Sequence, residues 1–312
     1  MRILATGDLH YDVLRSRGPT EVLARAVSRQ RADALLLLGD VGGRRLETFA
    51  EALRLFEGFD GVRLFVAGNH DLWTWAGGDS FRRYEIEIAE VCREHGWHYL
   101  DAAPAYIDGV AFVGNIGWYD HSYRAEALGV PVRFYRAKVA PGAAARLAEH
   151  QRLLNGMRDI PKSALAITTR WMDGQHVRLP CDDEAFTQRL ATKLRRHLGE
   201  AARRARTIVV GMHHLPFAEM VVRTGHPGWD FATNYLGSEV FGRTVLAEPK
   251  ATHLLCAHNH RARQIVRGNL TCTSIGSTYT DKHIVEIEIT DPQPETGCVV
   301  GEMRTSVFKA PA

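Results

Sequence analysis

The chain has 312 residues, of which 45% are hydrophobic and 24% are charged, and its formal net charge at pH 7 is +3. These values are ordinary for a globular protein with a packed core, and the small charge gives no support for nucleic-acid binding. No apolar stretch approaches the roughly 20 residues that a membrane-spanning helix needs, so no membrane partner is expected.

Cysteine usage and the start of the chain both favour a cytoplasmic protein. The five cysteines are widely spaced and include no C-x-x-C pair, which predicts reduced and mostly buried thiols. The chain opens directly on a strand-like run, without the basic and then apolar segment of a secretion signal. The sequence does not define the oligomeric state.

Three short apolar runs open the chain, and polar residues follow each of them at once. These runs are Ile3–Thr6, Ala34–Leu38 and Val62–Ala67. Between them, apolar residues at three-to-four spacing predict helices at about Pro19–Gln30, with Pro19 in the first turn, and at Arg44–Phe56. Strands that alternate with helices in this way indicate βαβ units around a buried sheet.

The middle of the chain is predicted to be mainly helical. Helices are expected at about Phe81–His95 and Pro141–Leu154, with a strand pair at Tyr106–Gly117 turned at Asp108-Gly109. A further helix, capped by Asp182 or Asp183, should run to about Arg206. We predict a single domain over residues 1–312, with a candidate cap or insertion at about residues 118–205.

The opening pattern then recurs. The apolar runs Thr207–Gly211 and Thr252–Cys256 are followed by histidines, and the remaining runs predict strands that close a second sheet. Those last strands are Gln264–Val266, Leu270–Ile275, Ile284–Ile289 and Val299–Val307.

Five of the predicted strands end in Asp, Asn or His. In open α/β sheets, ligands bind outside the carboxyl ends of the strands, so these side chains should meet in one site. Imidazole mixed with carboxylate suits Mn, Fe, Zn, Ni or Co better than Ca or Mg, and we favour Mn. Seven ligands are too many for one catalytic ion that keeps a position open, and they suit two divalent ions. The candidates are Asp8, His10, Asp40, Asn69, His213, His258 and His260.

Such a pair of ions suits phosphoryl hydrolysis. Two ions about 3.5–4 Å apart lower the pKa of a bridging water and neutralise charge on the phosphoryl oxygens. His70 is the candidate acid for the leaving alkoxide, and Asp71 is the candidate group that orients or charge-stabilises its imidazole. Trp73 is a candidate substrate wall, although loop packing also explains an aromatic residue there.

These motifs resemble those of the calcineurin-like metallophosphoesterase family. The family pattern is matched by Asp8-Leu9-His10, Gly39-Asp40, Gly68-Asn69-His70-Asp71, His213 and Ala257-His258-Asn259-His260. The resemblance implies an α/β fold, namely a four-layer αββα sandwich of two mixed β-sheets flanked by helices, here with a central helical insertion.

The resemblance also implies a ligand set for each ion. One ion would take Asp8, His10 and His260, the other would take Asn69, His213 and His258, and Asp40 would bridge both. His70 would be the acid. The family's ligand is ordinarily the first histidine after its strand, which favours His213; His214 would then contact substrate or face solvent.

Two positions depart from the family pattern. Ala257 stands where the family usually has Gly, which is a small change. Val41-Gly42-Gly43-Arg44 follows Gly39-Asp40 and lacks the residues of the protein-phosphatase branch, so a phosphoprotein substrate is disfavoured.

The sequence therefore predicts a phosphoesterase that hydrolyses a phosphodiester or nucleotide-type ester by attack of a metal-bridged hydroxide. One alternative is a phosphomonoesterase of a small phosphorylated metabolite, and another is a dinuclear hydrolase of amides or lactams. A third is a scaffold that keeps the fold without catalysis, although such a scaffold should show gaps in the ligand set.

Overall fold

A computed structural model describes residues 1–290 and 303–309. In these residues the strands are β1 Arg2–Thr6, β2 Ala34–Leu38, β3 Val62–Val66, β4 His98–Tyr99, β5 Ala105–Ile107, β6 Val110–Asn115, β7 Thr207–Met212, β8 Ala251–Cys256, β9 Arg263–Arg267, β10 Leu270–Ser274, β11 Asp281–Glu288 and β12 Met303–Lys309. The helices are α1 Leu14–Val27, α2 Leu46–Arg54, α3 Ser80–Arg82, α4 Ile88–Glu94, α5 Val132–Arg136, α6 Pro141–Ala144, α7 Asp173–His176, α8 Asp183–Arg204, α9 Pro227–Ala232 and α10 Glu239–Leu246.

The strands form two mixed sheets of six. The first has the order β12-β11-β1-β2-β3-β4, with β1 to β4 parallel and β11 antiparallel to β1. The second has the order β5-β6-β7-β8-β10-β9, with β6, β7, β8 and β10 parallel. The carboxyl ends of β1, β2 and β3 therefore meet at one edge of the first sheet, and those of β7 and β8 meet at one edge of the second.

Period-two alternation along the buried strands divides the core into layers. In β2, Leu36 and Leu38 pack between the two sheets, while Leu35 and Leu37 pack with the helices on the outer face. The same alternation separates Ile3 from Leu4 in β1. Because side chains alternate across a strand, one apolar run serves both layers, and the predicted four-layer sandwich is confirmed.

The last strands differ from their prediction. β9 and β10 do belong to the second sheet, but β11 pairs antiparallel with β1, with Ile287 opposite Ile3 and Val285 opposite Ala5. Val285 and Ile287 fill the layer between the sheets, so β11 completes the first sheet instead. Of the predicted strand Val299–Val307, residues 299–302 lie outside the described residues.

Two of the predicted helices have different bounds. α1 begins at Leu14, so Pro19 lies inside the helix instead of in its first turn. The hydroxyls of Ser16 and Thr20 donate to the Leu9 carbonyl at 2.6 and 3.1 Å, which anchors this earlier turn to the β1 loop. The predicted helix Pro141–Leu154 is instead the short α6 and a 3-10 helix, Ala148–Leu154. The amide of Gly142 in α6 donates to the Ile167 carbonyl, so a hydrogen bond to the segment around Ile167 holds this part of the backbone.

The other elements agree with the sequence. Asp108 and Gly109 turn the β5–β6 hairpin, with φ values of 44° and 76° that suit a tight two-residue turn. The Asp182 side chain caps α8 by accepting from the Ala185 amide at 2.7 Å. The predicted helix Phe81–His95 is α3 and α4 joined by a π-helical turn at Arg83–Glu87.

The stretch at residues 118–205 contains α5 to α8, and α8 packs against β6 and β7. Its status as a separate cap or insertion stays a prediction. The described cysteines are all free thiols: Cys92, Cys256 and Cys272 are buried, Cys181 is half-buried, and Cys298 lies outside the described residues. The cytoplasmic location stays a prediction. Among residues 1–290 and 303–309, no helix combines the length and the apolar character needed to span a membrane.

Candidate metal centre

The seven predicted ligands follow β1, β2, β3, β7 and β8, and their loops are tied to one another by hydrogen bonds. The amides of Asp8 and His10 donate to the carbonyls of Gly39 and Asp40 at 3.0 and 2.8 Å. The His258 amide donates to the Asp8 carboxylate at 3.1 Å, which joins the two sheets at the site. The ligand loops therefore hold their positions through contacts within the chain.

Most of these loops place a ligand in the left-handed backbone region. Eight non-glycine residues have a positive φ in the described part of the chain, and five of them are predicted ligands. Such a conformation is uncommon outside glycine, is best tolerated by Asn, Asp and His, and clusters at functional sites. These five are Asp8 (φ 53°), His10 (44°), Asp40 (53°), His258 (71°) and His260 (52°).

Asp8, His10 and His260 form one potential metal cluster, with ligand atoms within 4.8 Å of one another. The Nδ1 of His260 lies 2.7 Å from the Ser277 carbonyl and must donate to it. In the neutral ring this bond leaves the lone pair of Nε2 available to a metal. His10 is 1% exposed, and its two ring nitrogens find no hydrogen-bond partner among the described residues. Burial lowers the pKa of His10 well below its usual value, so its imidazole is neutral and able to bind a cation.

A second cluster contains Asp40, His213 and His258, again with ligand atoms within 4.8 Å. His213 Nδ1 donates to the Leu38 carbonyl at 2.7 Å, and His258 Nε2 donates to the Tyr235 carbonyl at 3.2 Å. In the neutral rings the other two ring nitrogens, His213 Nε2 and His258 Nδ1, therefore each carry a lone pair. These two acceptor atoms lie only 3.0 Å apart.

Two oxygens face the same point. Asn69 Oδ1 lies 3.2 Å from His213 Nε2, and Asp40 Oδ1 lies 3.4 Å from the same nitrogen. Four acceptor atoms that face one another in a buried space repel unless a cation or a proton lies between them. The donor set thus fits a divalent metal ion.

The pKa values agree with this requirement. Burial lowers the pKa of His213, but the Asp40 carboxylate outweighs it and raises the pKa to about 9. For the Asp40 carboxyl, burial acts in the opposite direction and raises the pKa. The surrounding imidazoles, His213 foremost, outweigh burial and hold the pKa of Asp40 well below its usual range. Without metal, a proton on His213 supplies the positive charge that the cluster needs.

The Asp40 carboxylate reaches both clusters. Its Oδ2 lies 3.7 Å from His10 Nε2, while its Oδ1 lies 3.4 Å from His213 Nε2. A carboxylate that faces two ligand sets with its two oxygens is suited to bridging two ions.

His70 lies at the edge of this centre. Its Nε2 is 3.9 Å from Asp40 Oδ2, and its side chain is 20% exposed, so the ring borders both the ligands and solvent. The imidazole stacks on Trp73, with ring centroids 3.8 Å apart and planes 21° apart.

Asp71 has a different place from the one predicted. Its Oδ1 accepts the amides of Val41 and Gly42, and its Oδ2 accepts those of Asp40 and Gly68, at 2.9 to 3.2 Å. Within residues 1–290 and 303–309, its hydrogen bonds thus go to backbone instead of to the His70 imidazole. The prediction that Asp71 orients His70 is corrected: its carboxylate joins the loops after β2 and β3.

His214 is also corrected. It is fully buried, its Nδ1 donates to the Ile116 carbonyl at 3.0 Å, and its ring lies 4.4 Å from that of His258. Burial lowers its pKa to about 3, so the ring is neutral. His214 packs behind a predicted ligand instead of contacting substrate or solvent.

A cavity of about 320 Å³ opens onto the ligands. Trp73 lines it, and its role as a substrate wall stays a prediction, while other lining residues come from segments without a recognisable motif. Arg170, Trp171, Trp229 and Tyr279 also border the cavity together with Asp40, Asn69, His70, His258 and His260.

Two buried residues next to the centre, Asp173 and Lys282, were not predicted from the sequence. Asp173 accepts a hydrogen bond from Asn69 Nδ2 at 2.9 Å. Lys282 donates from Nζ to the carbonyls of Asp8, Leu9 and Thr278 at 2.6, 3.0 and 2.7 Å, beneath the first ligand loop. Neither lies in a motif, and a charged residue inside a strand or at a short helix gives no signal of burial.

Comparison with known proteins agrees with this architecture. The family model described as calcineurin-like phosphoesterase matches residues 1–262, so the chain belongs to that family. The comparison with curated proteins gives no match.

Solved structures share the fold at low identity. A phosphopantetheinyl hydrolase from Mycobacterium tuberculosis is similar with a TM-score of 0.60 and 17% identity, over 88% of this chain and 89% of that one. A protein from Thermus thermophilus has a TM-score of 0.52 and 13% identity, over 91% and 92%. A dimetal phosphatase from Danio rerio has a TM-score of 0.52 and 12% identity, over 99% and 96%.

Proposed function

We propose that the chain is a hydrolase of phosphate esters that uses two divalent metal ions. The observation that carries this proposal is the pair of clusters that the Asp40 carboxylate reaches, each of which contributes lining residues to one cavity. Asp8, His10 and His260 would hold the first ion, Asn69, His213 and His258 the second, and Asp40 would bridge them. When bound, such a pair activates water for attack and neutralises charge on the phosphoryl group.

The chain's own residues prepare the rest of the reaction. His70 borders the cavity and is exposed enough to exchange its proton with solvent, so it can protonate the oxygen of the departing alcohol. The stacked Trp73 ring fixes the plane of the imidazole. Asp71 keeps the loops after β2 and β3 together, and with them Asp40 and Asn69.

The cavity supports a nucleotide-type ester or phosphodiester as substrate. Three indole rings and the Tyr279 ring suit the planar or apolar alcohol part of an ester, and the exposed cation Arg170 suits an additional negative charge. The similar solved structures are less than 20% identical in sequence to this chain, so they do not define its substrate. A phosphomonoester of a small metabolite is the alternative that the assay below distinguishes.

The ligand chemistry supports a transition metal. Imidazoles mixed with carboxylates suit Mn, Fe, Zn, Ni or Co, and among these we propose Mn. A scaffold without catalysis is disfavoured because every ligand position and His70 are present, and Asp40, Asn69, His70, His258 and His260 line one cavity.

The test begins with protein stripped by a chelator. Mn, Zn, Mg, Ni or Co is restored singly, and hydrolysis of p-nitrophenyl phosphate is compared with that of bis-p-nitrophenyl phosphate. We expect metal-dependent turnover that inorganic phosphate inhibits, with the diester preferred. Asp40→Asn and His70→Ala should each lose at least about a hundredfold in kcat.

The matched control is Asp183→Asn. It neutralises a buried carboxylate that accepts hydrogen bonds from Trp118 Nε1 and Lys138 Nζ, and it should retain activity in the folded fraction. Preference for the monoester would replace the proposed substrate class. Absence of both turnover and bound metal would refute the proposed function.

A further inference from the structure

Asp173 is a buried carboxylate that accepts four hydrogen bonds. It stands at the start of α7 and is 1% exposed. Its Oδ1 accepts from Asn69 Nδ2 at 2.9 Å and Trp73 Nε1 at 2.7 Å. Its Oδ2 accepts from Tyr119 Oη at 3.0 Å and Trp171 Nε1 at 2.7 Å.

These donors determine which way the Asn69 amide points. An amide NH2 and an indole N–H can only donate, and an ionised carboxylate is the side chain that can only accept. Asn69 must therefore direct Nδ2 to Asp173, which turns its Oδ1 toward His213 Nε2, 3.2 Å away. A carboxamide rotated by 180° would place N–H groups at the metal position, where they cannot bind a cation.

The same carboxylate reaches the acid through Trp73. Its Oδ1 fixes the indole N–H, and the face of that indole supports the stacked His70 ring at 3.8 Å. Asn69 therefore links Asp173 to the second cluster, and Trp73 links the same carboxylate to the His70 imidazole.

Its other oxygen reaches the second cluster by another route. Trp171, held by Oδ2, stacks on Tyr235 with centroids 5.0 Å apart and planes 11° apart. The Tyr235 carbonyl accepts from His258 Nε2, and this bond leaves His258 Nδ1 free to bind a metal. Two ligands of one cluster are therefore oriented by a network that converges on one carboxylate.

We propose that Asp173 is a positioning residue that directs Asn69 Oδ1 to the second metal ion and holds Trp73 beneath His70. This inference rests on the proposed metal centre and deepens it, because it assigns a role to a residue outside every recognised motif. It also explains why a segment of the predicted insertion reaches the ligands. Residues that orient metal ligands typically contribute about tenfold to a hundredfold to metal affinity.

The test is Asp173→Ala, which removes both acceptor oxygens, measured by metal binding instead of turnover. Stripped protein is titrated with Mn in competition with a chelating dye, and thermal unfolding is recorded in parallel. We expect one of the two binding steps, assigned to the second ion, to weaken roughly tenfold to a hundredfold, while the other keeps its affinity. Asp183→Ala removes a buried carboxylate that also accepts an indole N–H. This control should lower the unfolding temperature and leave both affinities unchanged.

Exchange of the two side chains provides a rescue. When Asn69→Asp is combined with Asp173→Asn, the new amide at position 173 can donate to the new carboxylate at position 69, whose other oxygen remains available to the metal. The same NH2 group then faces the Trp73 indole N–H, so the exchange restores the orientation at position 69 and not the support of Trp73. Asn69→Asp alone places two buried carboxylates against each other. We therefore expect the double variant to bind the second ion more tightly than Asn69→Asp alone, and it carries the test if Asp173→Ala does not fold.

The outcomes separate the two proposals. If the native chain binds fewer than two ions, the dinuclear centre is refuted. If the native chain binds two ions and Asp173→Ala binds both with native affinity, only the role of Asp173 is refuted. A double variant that binds no better than Asn69→Asp alone likewise overturns it.

Discussion

Replacement of Asp71 by Asn tests whether this residue is structural or catalytic. The carboxylate accepts four backbone amides, two on each oxygen. Burial and the neighbouring Asp40 charge raise the pKa of Asp71 to about 6, so at pH 8 the group is ionised and all four bonds form. In Asp71→Asn the remaining oxygen keeps two amides, and the new NH2 group faces the other two donors.

The magnitude follows from those two amides. A buried backbone N–H left without its acceptor costs about 1–3 kcal/mol, so two of them should lower the free energy of unfolding by roughly 2–6 kcal/mol. That is a large part of the roughly 5–15 kcal/mol by which domains are stable. Because Asp40 and Gly68 supply two of the amides, the loops after β2 and β3 should separate first.

The assay is urea unfolding of the metal-free protein at pH 8, followed by circular dichroism. Asp79→Asn is the control: Asp79 also accepts two amides, those of Phe81 and Arg82, but at an exposed helix start where Asn serves equally well. His70→Ala should abolish turnover with a smaller loss of stability. If Asp71→Asn keeps native stability and loses activity as His70→Ala does, our reasoning is wrong and Asp71 acts on the imidazole.

Two further predictions concern the ligands directly. In Gly68→Ala, the added Cβ would lie 2.3 Å from both the amide nitrogen and Oδ1 of Asp40, so metal binding should fall at least about tenfold. The control is Gly199→Ala in α8, where the added Cβ meets open space and metal binding should stay normal. Competition with a chelating dye measures both affinities. The proton that His213 holds up to about pH 9 must leave when a cation binds, so the affinity for the second ion should rise about tenfold per pH unit from pH 7 to 9 and then level off. A flat affinity over that range would show that the proton does not occupy the metal position.

The ligands were predictable because each is announced locally. An apolar run that ends in Asp8, Asn69 or His258 shows both the strand and the unusual side chain at its end, and parallel strands bring such ends together. The partner of β11 was not predictable, since its alternating pattern fits the inner layer of either sheet. Only the pairing of Ile287 with Ile3 decides between them.

Supporting residues were not predictable for a different reason. Asp173 contacts Asn69 across 104 positions of sequence, and Lys282 contacts Asp8 across 274. Neither pairing leaves a periodic signal, because one contact of this kind involves a single side chain in an otherwise irregular or alternating segment. Asp71 was found as a motif residue, but its neighbour His70 suggested a partner that the backbone amides take instead.

The supporting contacts together indicate a centre that is formed before metal binds. Five ligands have a positive φ, a conformation that costs about 1–3 kcal/mol for each residue and persists only where the surroundings enforce it. The enforcing contacts lie within the chain, since Asp71 ties two loops, Lys282 holds the carbonyl side of a third, and Asp173 fixes the Asn69 amide. Binding a cation therefore requires the loss of a proton instead of the folding of a loop. For this reason the stripped protein should keep the fold, and metal affinity should depend on these supporting residues as well as on the ligands.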